Sequence, residues 1–174
     1  MQKSTPEPWL RGTHSEIPAV PRAVLHAIEL AHEDLLFWCG NLTEQELFAT
    51  PSDLPSIAFH LRHIACSLDR LLTYAEGRRL NERQLQALAS EADPRCSKAE
   101  IFSALSAALT ESSARIMRLG ENPDTLNQPR TVGRKNLTTT VAGLLVHVAD
   151  HTQRHVGQAI TTAKILVVHR GQTI

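Results

Sequence analysis

Apolar residues return every third or fourth position along four separate runs of this chain, and four such stripes have few ways to be buried except against one another. The first run, Arg22 to Cys39, sets Val24, Ile28, Ala31, Leu35 and Trp38 on one side before Gly40-Asn41 ends it. The second opens at Ser56, carries Ile57, Leu61, Ile64, Leu68, Leu71 and Leu72, and ends near Gly77. The third follows a capping box, Ser97-Lys98-Ala99-Glu100, and places Ile101, Leu105, Ala108, Leu109, Ser112 and Ile116 together before Gly120. The fourth is expected to start at Thr138 to Thr140 and to continue to about Leu166. Two short helices are expected between them, one after the capping box Thr43-Glu44-Gln45-Glu46 and one over Asn81 to Ser90 before an Asp93-Pro94 break. No stretch reads convincingly as a strand, so the fold class is all-α, a four-helix bundle with short extra helices.

Two segments fall outside the stripes. Residues 1–21 hold Pro6, Pro8, Pro18 and Pro21 and read as an extended N-terminal arm, leaving 22–174 as the bundle. Residues 121–137, with Pro123, Pro129 and Gly133, read as a loop long enough for a compact bundle to suggest a function. Arg130, Arg134 and Lys135 in that loop put three positive charges before a helix N-terminus, an arrangement that can hold an anion.

The 174 residues make one domain with room for a real core. Lysine plus arginine equals aspartate plus glutamate at 18 each, so no net field draws the protein to nucleic acid or an anionic membrane. The three cysteines, Cys39, Cys66 and Cys96, have no paired spacing and point to a reducing compartment. The start, MQKSTPEPWLRG, has no apolar leader core and no later run suits a membrane span, so a cytoplasmic location is expected.

The fourth run contains LLVHVADHTQRHVGQ, with histidines at 147, 151 and 155. A spacing of four repeats about once per helical turn, so neighbouring members of this series can grip one ion. On a helical wheel His151 and His155 fall beside Leu144, Val148 and Ala159 and look inward. His147 lies at the stripe's edge, about 12 Å along the axis from His155, too far for all three to share one centre. Two inward imidazoles one turn apart each need a partner if buried, which puts a shared metal on a par with two core rings that have each found a hydrogen bond. His151-Thr152-Gln153-Arg154-His155 lacks the glutamate of the zincin motif, so a metalloprotease is not expected. In the second run His60 and His63 flank the stripe, and periodicity does not choose between them. His26 and His32, six residues apart on the first run, face different ways and read as structural or exposed.

Ser56-Ile57-Ala58-Phe59-His60-Leu61-Arg62-His63-Ile64-Ala65, together with the late His151-x-x-x-His155-Val156-Gly157-Gln158, resembles the DinB-like (DinB/YfiT) superfamily over roughly residues 20 to 165. Members typically show His-x-x-x-His-Arg-Gly-Gln, and valine stands here at 156 in place of the arginine. The resemblance implies an up-down-down-up four-helix bundle and one divalent ion, zinc or nickel, held by His63, His151 and His155, with His60 as the second choice to His63. Relatives act as thiol-dependent transferases or isomerases, although most have no assigned reaction.

Three neutral imidazoles leave a divalent ion at least one open position, as catalytic sites require. Such an ion lowers the pKa of a bound water or thiol, so a hydrolase or a low-molecular-weight-thiol transferase acting on a small molecule is expected. Supporting roles around the ligands fall to His147, Gln158, His60, Asp150 and Arg154, and Cys66 lies one turn beyond His63. The rival readings are a non-catalytic metal-binding or stress-response bundle, acting as a homodimer or through a partner, and a metal-free bundle with histidines as core polar groups.

Overall fold

A computed structural model of the chain describes residues 5–91 and 96–171. The elements are α1 (Ala19–Cys39), α2 (Glu44–Phe48), α3 (Ile57–Ala75), α4 (Glu82–Ala89), α5 (Lys98–Gly120), β1 (Pro129–Val132), β2 (Leu137–Thr140) and α6 (Val141–Gly171). The four long helices α1, α3, α5 and α6 form the all-α bundle that their stripes require. The expected Asp93-Pro94 break lies outside the described residues.

Helix starts follow the capping chemistry. The side chains of Thr43, Asn81 and Ser97 each accept a backbone N–H two or three residues into α2, α4 and α5, and the facing Glu46, Gln84 and Glu100 return the bond. Ser56 caps α3 by accepting the Phe59 N–H at 3.1 Å.

Four bridges between helices fix their directions. Lys98, at the start of α5, donates to the Gly40 carbonyl just past α1 at 2.7 Å. Gly120, at the end of α5, meets Pro21 at the start of α1 so closely that a Cβ there would lie 2.8 Å from Pro21 Cγ. These two helices are therefore antiparallel. Arg115, late in α5, bonds Asp69 and Glu76, late in α3, so α3 and α5 run the same way. Arg170, at the end of α6, reaches Glu46 beyond the end of α1, so α1 and α6 are parallel. The order is up-down-down-up, and α6 packs between α1 and α3. Leu35, Leu61, Ile64, Leu68, Leu72, Ile116, Leu145 and Val148 are fully buried at the centre.

Three expectations need correction. The stretch expected as a loop contains a 3-10 turn, Pro123–Asn127, and a two-stranded antiparallel hairpin pairing Arg130 with Thr139 and Val132 with Leu137. Thr138 to Thr140 belong to that hairpin and not to a helix. Branched Thr131, Val132, Thr138, Thr139 and Thr140 favour extended backbone, while Gly133 (φ 70°) and Asn136 (φ 48°) take the left-handed conformations of the connecting turn. The last helix is correspondingly long, 31 residues, and runs past Leu166 to Gly171. Finally, α1 begins at Ala19, because Pro21 falls in the first turn, where its missing N–H has no helical acceptor to lose.

Among the described residues before α1, 5–18, the chain is turned rather than extended. Pro8–Leu10 form a 3-10 turn, and the segment is fastened to α1 by Arg11 to Glu33 (2.6 Å) and His14 to Glu29 (2.7 Å). His26 is structural: its Nε2 lies 3.1 Å from Thr13 Oγ1 in that segment.

Because Leu68 is wholly buried between α3's neighbours, Leu68→Ala is expected to cost about 3 kcal/mol. Leu36→Ala, at a position 48% exposed on α1, is expected to cost less than about 0.5 kcal/mol. Urea unfolding midpoints of the two variants check both values.

Candidate metal centre

His63, in the second turn of α3, and His151 and His155, one turn apart on α6, each offer one nitrogen, and the three nitrogens all lie within 4.8 Å of one another. The antiparallel packing of α3 on α6 makes this possible, since it sets the capped start of α3 beside the middle of α6. His63 Nε2 and His151 Nε2 are 2.8 Å apart. The ring centroid of His155 lies 4.3 Å from that of His63 and 4.7 Å from that of His151. A tetrahedral ion with Zn–N bonds of about 2.1 Å wants its nitrogens about 3.4 Å apart, inside the range these rings span. The donor set is therefore compatible with a divalent cation.

Proton placement supports that fit. His63 Nδ1 lies 2.8 Å from Glu91 Oε2, and a carboxylate can only accept, so Nδ1 carries the proton and Nε2 points its lone pair at the cluster. On the other flank His155 Nδ1 and His60 Nδ1 share a hydrogen bond of 3.1 Å, leaving His155 Nε2 for a ligand. Burial, and then the charge of His63, keep His60 and His151 below the ordinary histidine range. The same causes, with His151 and His60 adding to them, bring His155 from 6.5 down to about 4. His60, His151 and His155 are therefore neutral near pH 7, the state in which imidazole binds a metal.

Glu91 is the member of this centre that the sequence reading missed. It sits just beyond the end of α4, 6% exposed, bonded to His63 and ion-paired with Arg70. Burial pushes its carboxyl up, but the bonds from His63 and Arg70 outweigh that and hold it below the usual carboxylate range. Periodicity gives no signal for a lone acid in a turn. The available hint was Arg70, two turns after His63 on the same face of α3, a buried cation in need of a counter-charge. Gln84 of α4 donates to Asp69 and to Thr73, both at 2.8 Å, and so ties α4 to α3 and brings Glu91 within reach.

Other expected participants lie apart. His60 joins the cluster through His155 but is outside the set of three nitrogens that share a centre. His147 is about half exposed, 3.9 Å from Asp150, with its ring centroid 5.5 Å from that of His151. Asp150 and Arg154 are exposed and bond each other at 2.7 Å across one turn. Gln158 is exposed and makes no bond to the three rings among the described residues. Cys66 is not among the clustered groups, and burial, then the charge of Glu91, push its thiol up, away from the thiolate a metal would need. Val156, where relatives carry arginine, is 2% exposed and packs in the core.

A family model described as the DinB superfamily matches residues 27–159, well over half of the chain and including His60, His63, Glu91, His151 and His155. No curated protein matches the sequence.

The lowered histidines fix a pH dependence for the metal-free protein. Between about 6.5 and about 4 the unfolded chain takes up a proton at residue 155 that the folded ring refuses, so stability falls as acid is added through that window. His60 and His151 act in the same direction. Urea midpoints of metal-stripped protein should drop between pH 7.5 and pH 5, and the drop should be smaller in His155→Gln.

Proposed function

Because the chain belongs to the DinB superfamily, we propose that His63, His151 and His155 hold one divalent ion, zinc or nickel, and that the protein is a metal-dependent enzyme, a hydrolase or a low-molecular-weight-thiol transferase. The observation that carries this reading is the convergence of three imidazole nitrogens from two helices within 4.8 Å. When bound, the ion supplies acidity, turning a coordinated water into hydroxide or a coordinated thiol into thiolate near neutral pH. The chain supplies the rest. Glu91, held by Arg70, keeps the proton on His63 Nδ1 and fixes the ring's direction, and His60 does the same for His155. Phe59 stacks on the His63 ring at 5.7 Å and shields one side of it.

Three ligands leave room for water or substrate. The rings of His63, His151 and His155 are only partly buried, so a small molecule has access to them; a non-catalytic bundle would be expected to seal them. That favours the enzymatic reading over the stress-response one. The reading places the protein in the cytoplasm, supported by the free thiols of Cys39, Cys66 and Cys96 and by the absence, among the described residues, of a helix long and apolar enough to cross a membrane. It also includes a homodimer, tested by light scattering.

Elemental analysis of purified protein should find about one zinc or nickel per chain, and His151→Ala should lose it while keeping its helical circular dichroism. Glu91→Gln should keep the fold but bind the ion about 10- to 100-fold more weakly. Metal-loaded protein should turn over a member of a panel of thiols with electrophiles, or of esters and amides. Protein without stoichiometric metal would contradict the reading.

A further inference from the structure

The cations of this chain are unevenly matched. Among the described residues, Arg11, Arg70, Arg78, Arg115, Arg118, Arg154 and Arg170 have carboxylate partners. Arg22, Lys98 and Arg130 bond backbone carbonyls, Lys164 lies over the Trp38 ring, and Arg62 is engaged as well. The described cations left without such a partner are Arg79, Arg83, Arg134 and Lys135. All four lie where the end of α3, the start of α4 and the β1–β2 turn come together.

That junction encloses a groove of about 830 Å³, lined by four arginines, Arg78, Arg79, Arg130 and Arg134. A second groove of about 370 Å³ adjoins it through Arg78 and Arg79 and adds Arg83. One of the four is already positioned: Arg130 donates from Nε to the Ala75 carbonyl at 2.7 Å and from Nη1 to the Pro129 carbonyl at 2.9 Å. It lies across Gly77, 3.5 Å from where a Cβ would be, and its hydrogen-bond partners are all uncharged groups. Arg78 shares the Glu76 carboxylate with Arg115, which is also paired with Asp69, an acid that lines the second groove. The remaining wall is mixed, with Tyr74, Leu80 and Leu85 giving apolar surface.

We propose that this groove, at the end of α3 opposite the histidine cluster, binds a small organic dianion, with its phosphate or carboxylate groups on Arg79, Arg130 and Arg134 and its apolar or aromatic part against Tyr74, Leu80 and Leu85. Guanidinium presents planar pairs of N–H donors that match both oxyanions. The larger groove is of the size that encloses small molecules, and its mixture of apolar wall and a few charged groups is the usual make-up of such sites. The hairpin that sequence periodicity did not reveal is what brings Arg130 and Arg134 opposite Arg78 and Arg79.

The test is calorimetric titration of metal-stripped full chain with phenyl phosphate and, separately, with phthalate, two aromatic dianions that distinguish phosphate from carboxylate. Saturable one-site binding of at least one is expected, weakened about tenfold or more in the double variant Arg79→Gln/Arg134→Gln. Arg118→Gln, an exposed arginine on α5, and His151→Ala should bind as the unaltered chain does. Both changed arginines are exposed, so the double variant should keep its circular dichroism and urea midpoint. No saturable binding of either dianion would overturn the proposal. So would equal weakening by Arg118→Gln, which would show general charge attraction, or loss in His151→Ala, which would move the anion to the histidines. The outcome does not depend on the metal reading.

Discussion

The antiparallel contact of α3 with α6 is the interaction on which the rest of this molecule depends. On one stretch of α3 it buries Ile64 and Leu68, and on α6 Leu145 and Val148, all without solvent exposure. The same contact holds the capped start of α3 beside the middle of α6, and the histidines ride on those two backbones. Apolar burial sets the spacing, and the imidazoles inherit it. The histidine cluster needs the bundle's register.

Polar groups refine what packing sets. Arg115, 5% exposed, bonds Asp69 and Glu76 of α3, and Gln84 joins the same network from α4. A buried guanidinium with several partners adds little net stability over an apolar replacement, yet it penalises any shift that leaves it unpaired. Here that penalty fixes α5 on α3, while Gln84 ties α4 to the same Asp69 and to Thr73, and the turn beyond α4 then delivers Glu91 to His63. The chain of dependence runs from Asp69 and Thr73, which Arg115 and Gln84 share, through Gln84 to Glu91 and ends at the proton on His63 Nδ1.

Much of this was legible in the sequence. The stripes of α1, α3 and α5 and the boxes at Thr43 and Ser97 carry their own period and caps, so the bundle followed from local rules. The pair His151 and His155 was visible for the same reason, because one helix fixes their relation. The choice of His63 over His60 was not visible in periodicity, since it depends on the rotation of α3 against α6; resemblance to the family supplied it. Glu91 and the hairpin were missed for a related reason. Strand pairing and a carboxylate contact across 28 residues are long-range events, and the threonines at 138 to 140 suit the start of a helix as well as a strand.

X-ray absorption spectroscopy at the metal edge of the loaded protein is the most direct measurement of the central claim. The account predicts three imidazole nitrogens and at least one oxygen at about 2.0–2.1 Å, with imidazole scattering lost on changing His63, His151 or His155. A sulfur shell near 2.3 Å, or a spectrum unchanged by those substitutions, would contradict it.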